Sequence, residues 1–462
     1  MKYIILNKQN NKSIILFFAG WGMDFNPFKK IEEPGYDYAL IYDYSDFGLD
    51  LNLEEYTNIH IFAWSFGVYA AAQWIANKGI KPTSSIAING TIYPIDDNRG
   101  IPVNIFQGTL DNLNERTLMK FNRRMCGSAD NYKSFVEHQP QRELSSLKDE
   151  LIAMQAHSTS NQKVYNSWDK AYISENDYIF PAENQKRAWK ENTKITITLN
   201  ESHLPKQIEN IIISNLINKD LIKQRFEKSI ETYNKYANGQ QAIANRLFEK
   251  WSNVGFDTHK KIYEIGCGTG LFTETYQHNL KPQYLLLNDL AELSQMKDIN
   301  DAQNVEFISG DAEYFKPERK FDYIVSASTI QWFENIPLFF KHINNFLEPK
   351  GMIVFSTFGS NNMKEVRNAF SSSLNYPTLQ ELKDALEDAD FKVLDIDEET
   401  ITQNFKTPHD LLKSIKCTGV NGLKSANPIS KEKINQLKEL LPHEDGMYQL
   451  TYNPIYIIAI KN

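Results

Sequence analysis

Ser65 stands in a short motif that could supply a catalytic nucleophile. Residues 63–67 read Ala-Trp-Ser-Phe-Gly, which is the pattern G-x-S-x-G with alanine at the first glycine position. In this pattern small residues flank the serine, because it sits on a tight turn from a strand to a helix that exposes its hydroxyl. The helix that follows directs its positive end at the serine. A purely structural turn of small residues has the same sequence, so Ser65 needs partners before a reaction can be inferred.

A base and an acid follow this serine along the chain, as a nucleophilic serine requires. Asp177 comes just after one β-branched and aromatic run, and His203 comes just after the next. The order Ser, Asp, His is that of hydrolases with the G-x-S-x-G motif. We therefore predict a triad of Ser65, His203 and Asp177. Asp111 is a rival acid, and Asp177 is preferred because its strand directly precedes that of His203.

The attacked carbonyl oxygen also needs donors, because negative charge develops on it during the reaction. The segment "FFAGWG" at 17–22 follows the first strong strand candidate, where an oxyanion loop is expected. We predict that the backbone amides of Trp21 and Phe66 form the oxyanion hole.

A second motif, "EIGCGTG", contains no nucleophile and is suited to a cofactor. Glu264 stands two residues before the first of three glycines, Gly266, Gly268 and Gly270. A dinucleotide fingerprint would put its third glycine at the position of Leu271, so this motif does not match it. The acid and the G-x-G-x-G spacing instead resemble motif I of class I S-adenosylmethionine (SAM) methyltransferases. In that family the glycines let the backbone approach the cofactor.

Two further acids fall where that family has them, at the ends of the next two predicted strands. Asp289 ends "LLLND" and is suited to bind ribose hydroxyls, and Asp311 in "ISGDAE" is suited to bind the adenine amine. We predict that Glu264, the three glycines and these two acids form a SAM site. A structural turn with incidental acids, or another nucleotide cofactor, are the alternatives.

The elements that position these residues alternate between strands and helices in both halves of the chain. Short apolar runs separated by helical segments are typical of buried parallel strands, so the predicted fold class is α/β. Residues 112–160 contain no strand candidate and predict a helical lid over the first sheet. The alternation restarts near residue 261, so we predict domains at 1–218 and 219–462, joined by a short helical junction.

Composition narrows the class of protein. The 462 residues carry a formal net charge of −8, which argues against nucleic acid or an anionic membrane as partner. The cysteines Cys126, Cys267 and Cys417 are too widely spaced for a disulfide framework or a metal cluster. We find no signal peptide and no apolar run that could cross a bilayer. The expectation is a soluble, cytoplasmic protein without a metal.

Longer strings in the second half narrow the family. The strings lie at 326–333 ("SASTIQWF"), 355–359 ("FSTFG"), 225–237 ("RFEKSIETYNKYA"), 411–423 and 450–461. They resemble BioC, the malonyl-acyl-carrier-protein O-methyltransferase of biotin synthesis, over essentially all of 220–462. The resemblance implies a Rossmann-like class I methyltransferase fold, with Tyr233 at the substrate.

Four strings in the first half also resemble one family. They are "FFAGWGMDFNPF", "AWSFGVYAA", "FNRRMCG" and "NDYIFPAENQKRAW". They are similar to BioG, an α/β-hydrolase that cleaves pimeloyl-acyl-carrier-protein methyl ester, over about 1–218. Lys206 departs from the pattern, because an aromatic residue is common after "SHLP" in such hydrolases.

The two resemblances together imply a BioG–BioC fusion with two activities. One domain would methylate the free carboxylate of malonyl-acyl carrier protein (malonyl-ACP), and the other would later hydrolyse the pimeloyl ester. Lys120, Arg123 and Arg124 on the predicted lid would meet the acidic carrier protein, although a solvated helix face would have the same sequence. The alternatives are a SAM methyltransferase of another small acid with a general esterase, and a non-catalytic docking domain in the first half.

Overall fold

The chain forms two compact units, which are described separately. The computed structural model describes residues 1–29, 31–159, 163–292, 301–365, 376–418, 441, 443–444 and 446–462. Unit 1 is Met1–Ile213 and unit 2 is Ser214–Asn462. The last residue of the predicted lid, 160, and residues 419–423 of one BioC-like string lie outside the described residues.

Unit 1 is built on one seven-stranded sheet. Its order is β1-β3-β2-β4-β5-β6-β7, and every neighbouring pair is parallel except β1 with β3. The strands are β1 (Lys2–Asn7), β2 (Ser13–Phe18), β3 (Tyr36–Tyr42), β4 (Asn58–Trp64), β5 (Ser84–Ile88), β6 (Trp168–Asn176) and β7 (Thr193–Ser202). β2 and β5 are buried along their whole length, since both faces of a parallel sheet are covered.

Helices follow the strands of unit 1 and cover the sheet. They are α1 (Phe66–Lys78), α2 (Val103–Asp111), α3 (Glu115–Cys126), α4 (Ala129–Glu137), α5 (Leu144–Ser158), α6 (Ala182–Trp189) and α7 (Ile208–Ser214). Four of them, α2 to α5, separate β5 from β6, and α3 to α5 lie in the segment predicted as a lid. The strand order reverses between β2 and β4, and in α/β sheets such a reversal opens a crevice for ligands.

Unit 2 contains a second seven-stranded sheet and a small antiparallel one. The large sheet has the order β10-β9-β8-β11-β12-β17-β13, and the small one β14-β16-β15. The strands are β8 (Lys261–Ile265), β9 (Tyr284–Asp289), β10 (Val305–Ser309), β11 (Phe321–Ala327), β12 (Leu347–Phe358), β13 (Phe391–Glu398), β14 (Ile401–Phe405), β15 (His443–Glu444), β16 (Met447–Tyr452) and β17 (Pro454–Lys461). β17 is antiparallel to both of its neighbours, β12 and β13.

The helices of unit 2 begin with two long ones that precede its sheet. They are α8 (Lys219–Tyr236), α9 (Asn238–Val254), α10 (Leu271–Leu280), α11 (Ile336–Asn344), α12 (Leu379–Glu387) and α13 (Pro408–Cys417). Apolar clusters pack on both faces of the sheet, one around Trp251 and Tyr276 and the other around Phe339 and Phe355. The predicted α/β class is confirmed in both units. The strand order here reverses between β8 and β11, which again predicts a crevice at the carboxyl ends of these strands.

Candidate active sites of the two units

Ser65 occupies the turn between β4 and α1 in a conformation that L-residues rarely adopt, with φ 60° and ψ −128°. Its amide donates a hydrogen bond to the Ile88 carbonyl of β5 at 3.0 Å. Gly67 lets the start of α1 lie close to the end of β2, because a Cβ at this position would collide with the carbonyl oxygens of Phe18 and Ala19. Backbone strain of this kind is maintained by the surrounding packing and is concentrated at functional sites.

The structure brings the three predicted triad residues together. The Ser65 Oγ lies 2.9 Å from His203 Nε2, and His203 Nδ1 lies 2.8 Å from Asp177 Oδ2. All three are buried, with 6% of Ser65, 1% of His203 and 6% of Asp177 exposed. If Nδ1 carries the proton that Asp177 accepts, Nε2 is free to accept the serine proton. The geometry is that of a nucleophile, a base and an orienting acid.

Asp177 is held by donors on both of its oxygens. The amides of Ile179 and Phe180 each donate to Oδ1 at 2.8 Å, and Gln185 Nε2 on α6 donates to Oδ2 at 2.9 Å. The rival acid Asp111 is exposed at the end of α2, where it accepts a hydrogen bond from Gln107. The acid in contact with His203 is therefore Asp177.

The loop that carries His203 is anchored by side chains that the sequence did not single out. Trp64 Nε1 and Asn89 Nδ2 donate to the His203 carbonyl oxygen at 2.8 and 2.9 Å. The Phe180 ring stacks on the imidazole with 5.9 Å between ring centroids. Asn89 is fully buried and has a positive φ of 44°. This backbone conformation, which the sequence does not reveal, marks Asn89 as a residue held in place to anchor the His203 loop. These contacts fix the imidazole between the serine and the acid.

A cleft of about 380 Å³ opens at Ser65. Both predicted oxyanion residues, Trp21 and Phe66, line it. Within the described residues, the Trp21 amide makes no backbone hydrogen bond, so it is available to a ligand. The indole of Trp21 donates to the Leu147 carbonyl of the lid helix α5 at 2.9 Å, which fixes the loop. The remaining wall is mainly apolar and is formed by Ile101, Ile105, Phe106, Thr109, Phe121, Arg124, Leu151 and Ile179.

The basic residues predicted for carrier-protein binding lie on α3, the helix beside this cleft. Lys120, Arg123 and Arg124 are exposed, and Arg124 also lines the cleft. The Arg123 guanidinium lies over the Tyr132 ring, 5.2 Å from its centroid. Lys206 lines a different cleft between the loop after His203 and α4.

The glycine turn of unit 2 joins β8 to α10. Gly266, Gly268 and Gly270 all have positive φ, at 68°, 52° and 84°. A Cβ on Gly266 would collide with the Thr329 side chain, whereas a Cβ on Gly268 would meet nothing within 4 Å. Gly266 is thus required for packing, and Gly268 presents bare backbone to open space. Gly270 caps α10.

The two acids nearest this turn have different environments. Asp289 ends β9, accepts hydrogen bonds from the Gly268 and Ala291 amides at 2.9 Å each, and faces the same open space. Burial raises the pKa of its carboxyl above the usual value. Glu264 lies beneath the turn, where its carboxylate accepts hydrogen bonds from the hydroxyls of Thr273 and Tyr276 at 2.6 Å each. Burial raises the pKa of Glu264 to about 7.

Asp311 follows β10 and forms an ion pair that the sequence did not predict. Lys219 Nζ, at the start of α8, lies 2.6 Å from Asp311 Oδ2 and also contacts Glu313. The amides of Glu334 and Asn335 hold the Glu313 carboxylate at 3.0 and 2.9 Å. Burial lowers the pKa of Lys219, but the two carboxylates outweigh it and raise the pKa.

A cavity of about 980 Å³ lies between this turn and α8. Gly266, Gly268, Asp289, Asp311 and Tyr233 all line it, whereas Glu264 and Gly270 do not. Burial, helped by the charge of Asp289, raises the pKa of Tyr233. Bare backbone at one glycine and two carboxylates at strand ends, all facing one cavity, fit an adenosyl cofactor. The residues present therefore fit SAM.

Two further classes of site have no candidate in the part of the chain that the structure describes. No group of three or more His, Cys, Asp or Glu side chains there could hold a metal ion. In the same residues, no helix is both long enough and apolar enough to span a bilayer.

Comparison with known proteins identifies both halves of the chain. The family profile described as pimeloyl-ACP methyl esterase BioG matches residues 1–209, and the profile described as methyltransferase domain matches residues 233–396. The crystal structure of BioG from Haemophilus influenzae is 34% identical and covers 44% of this chain and 94% of its own, with a TM-score of 0.42.

Two curated relatives carry the same name, malonyl-[acyl-carrier protein] O-methyltransferase. The one from Bacteroides thetaiotaomicron is 38% identical over 53% of this chain and 99% of its own length. The one from Bacteroides fragilis is 40% identical over 97% of this chain and 93% of its own length, so it spans both units. The chain therefore belongs to the malonyl-acyl-carrier-protein O-methyltransferase family, as a BioG–BioC fusion with a BioG domain ahead of its methyltransferase domain.

Proposed function

We propose that this chain is a bifunctional enzyme of biotin-precursor synthesis. Unit 2 methylates the free carboxylate of malonyl-ACP with SAM, and unit 1 hydrolyses the methyl ester of pimeloyl-ACP. The observation that carries the second activity is the continuous contact from Ser65 through His203 to Asp177. A non-catalytic docking domain has no need of this strained serine or of its buried acid.

The esterase reaction follows from the positions of these groups. As Ser65 Oγ attacks the ester carbonyl carbon, its proton passes to His203 Nε2, and Asp177 stabilises the imidazolium that forms. The carbonyl oxygen becomes an oxyanion and accepts hydrogen bonds from the backbone amides of Trp21 and Phe66. The carbon–oxygen bond to the methoxy group then breaks, and His203 returns the proton to release methanol. Water repeats the sequence on the acyl-enzyme and frees pimeloyl-ACP.

The surroundings of Ser65 support an acyl chain carried by a protein. The apolar wall of the cleft suits the methylene groups of a pimeloyl chain, because burying them removes apolar surface from water. The basic face of α3 suits an acidic carrier protein, since opposite charges steer encounter and fix orientation. Arg124 belongs to both the face and the cleft, and so lies where the chain would enter.

In unit 2, SAM supplies an electrophilic methyl group on a sulfonium. We assign Asp289 to the ribose hydroxyls, Asp311 to the adenine amine, and the Gly266–Gly268 turn to close backbone approach. A carboxylate is already nucleophilic, so the residues around the acceptor have to orient it rather than remove a proton. Tyr233 is assigned to the substrate side of the cavity.

The two activities serve one purpose. A free carboxylate is costly to bury without a partner, so a malonyl group used as a primer would be rejected by an apolar elongation tunnel. Methylation removes that charge, and hydrolysis after elongation restores it. The pairing of a methyltransferase with an esterase in one chain supports this sequence of reactions.

The first test is the Ser65→Ala variant of the full chain, with pimeloyl-ACP methyl ester as substrate. We expect the hydrolysis rate to fall by at least about a thousandfold, because no nucleophile remains. Release of S-adenosylhomocysteine in the presence of malonyl-ACP is the control, and it should be unchanged because Ser65 belongs to unit 1. Unchanged ester hydrolysis in the variant would refute the assignment of the nucleophile.

A second comparison separates the alternatives. The proposed enzyme should methylate malonyl-ACP much faster than free malonate or other free acids, and should prefer pimeloyl-ACP methyl ester to the methyl ester of free pimelate. Equal kcat/KM values for the carrier-bound and free compounds would instead indicate a methyltransferase of another small acid and a general esterase.

A further inference from the structure

One wall of the unit 2 cavity contains buried polar atoms that have no hydrogen-bond partner among the described residues. The wall is the segment Ser328–Trp332, which follows β11 and lies in the "SASTIQWF" string. The Ser328 Oγ, the Trp332 Nε1 and the Gln331 Oε1 are all buried and have no hydrogen-bond partner among the described residues. A buried donor without a partner calls for an explanation, and one that lines a cavity can be satisfied by a ligand bound there.

The backbone of this segment is also strained. Ser328 is not glycine, yet it has a positive φ of 56°. Its amide donates to Ser356 on β12 at 3.1 Å, and Gln331 Nε2 donates to its carbonyl oxygen at 2.5 Å, so the conformation is held from both sides. A strained residue with an unsatisfied hydroxyl at the edge of a cavity is typical of a binding site.

The indole of Trp332 is held in position by α8. Phe226 packs edge-on against it with 6.2 Å between ring centroids, and the same phenylalanine contacts Tyr233 with 6.4 Å between centroids. Trp332 therefore belongs to the side of the cavity assigned to the methyl acceptor.

The charges around the cavity indicate what these donors bind. Of the described residues that line it, three carry a charge: Asp289, Asp311 and Lys219. Lys219 is already paired with Asp311 and Glu313, so the described residues of the lining offer an acidic acceptor no free cation. It has two neutral donors instead, the Ser328 hydroxyl and the Trp332 indole N–H.

We propose that Ser328 Oγ–H and Trp332 Nε1–H bind the carboxylate of the methyl acceptor. The inference rests on the proposed methylation of malonyl-ACP and names the residues that orient its carboxylate. In the reaction one carboxylate oxygen forms a bond to the methyl carbon as the carbon–sulfur bond breaks, and that electron pair stays on sulfur. No proton moves, so donors that only orient the carboxylate are sufficient.

Neutral donors are better suited to this reaction than a lysine or an arginine. The carboxylate loses its negative charge as the ester forms, so a cation would stabilise the substrate more than the transition state and slow the reaction. Hydrogen bonds from an indole and a hydroxyl depend less on that charge and still fix the direction of the lone pair. Gln331 acts as a positioning residue, because it holds the Ser328 carbonyl.

The test replaces Trp332 by phenylalanine in the full chain, which removes the N–H and keeps an aromatic ring. Turnover is followed as S-adenosylhomocysteine released, so hydrolysis of the product ester by unit 1 does not affect the measurement. We expect KM for malonyl-ACP to rise about ten- to hundredfold, the range for loss of a hydrogen bond to a charged group. The SAM dissociation constant, measured by calorimetry, should stay within about twofold, since the N–H serves the acceptor.

Trp251→Phe is the matched control. Trp251 Nε1 is also buried without a partner, but this residue packs in the apolar core and does not line the cavity. It should leave KM for malonyl-ACP unchanged. If Trp332→Phe does not fold, Ser328→Gly provides the test, because it removes the other donor and glycine tolerates the positive φ. Ser328→Gly should also raise KM for malonyl-ACP.

Acetyl-ACP separates carboxylate binding from general pocket damage, because it has the thioester and lacks the carboxylate. Its inhibition constant should be the same in the wild-type chain and in Trp332→Phe. An unchanged KM for malonyl-ACP in both variants, a weakened SAM affinity, or an equal loss of acetyl-ACP binding would overturn this inference alone. A wild-type chain that transfers no methyl group to malonyl-ACP would overturn the proposed function, and the inference with it.

Discussion

Glu264→Gln should change how the stability of unit 2 depends on pH. Glu264 is 1% exposed, and burial raises its pKa from 4.5 to about 7. A raised pKa in an acid means that the folded chain binds a proton that the unfolded chain releases. The stability from this proton is present below about pH 4.5 and is lost as the pH rises towards 7, where the folded chain releases it too.

The size of the effect follows from the two pKa values. Each pKa unit corresponds to about 1.4 kcal/mol, so the free energy of unfolding should fall by about 2–3 kcal/mol between about pH 5 and pH 8 on account of this residue. Glutamine does not titrate, so Glu264→Gln should lose this part of the pH dependence. The free energy of unfolding of the variant should therefore rise relative to that of the wild type as the pH rises. Any fixed cost of placing an amide beside Thr273 and Tyr276 is the same at both pH values and cancels in this comparison.

Calorimetric unfolding of both proteins at about pH 5 and pH 8 provides the measurement. The transition that shifts when SAM is added is assigned to unit 2, and the comparison is then made without SAM. All other titrating groups are common to the two proteins, so only the difference between them is interpreted. A difference in unfolding free energy that is the same at both pH values would refute the idea that Glu264 is protonated in the folded chain.

Two further predictions concern unit 1. Asp177→Asn should lower kcat for pimeloyl-ACP methyl ester by up to about ten-thousandfold, because the imidazole loses the acid that orients it, whereas Asp111→Asn should have no effect. The opposite result in steady-state kinetics would make Asp111 the functional acid. Lys120→Glu combined with Arg123→Glu should raise KM for the carrier-bound ester most strongly at low salt, and leave kcat/KM for a small aryl ester unchanged. A KM that does not respond to charge reversal or salt would remove α3 from the carrier-protein surface.

The fold class could be predicted because parallel strands that are covered on both faces have continuous apolar sequences. β2 reads as a continuous apolar run, and β8 ends at a glycine turn that only a few folds require. The order of the strands within the sheet has no such local sequence pattern. β17, at the end of the chain, lies between β12 and β13 and runs antiparallel to both, a pairing that depends on contacts between residues distant in sequence.

The serine motif was recognisable for a local reason. A residue forced into the left-handed region needs small residues close by in the chain, and Ala63 and Gly67 each lie two positions from Ser65. The choice between Asp177 and Asp111 could not be made with the same force, since spacing along a chain does not give distance in space. Gln185 and Asn89 gave no signal, because their roles arise only when α6 and β5 pack beside the triad.

By itself the sequence determined the two α/β halves, the serine and glycine turns and the family, because each depends on short-range steric needs or on long matching strings. Only the tertiary structure decided that Glu264 lies beneath its turn, that Lys219 pairs with Asp311, and that Trp332 faces α8 through an aromatic contact. These contacts join residues from separate elements. Burial then sets which charges are paired and which donors remain free, and burial is a property of the packed chain alone.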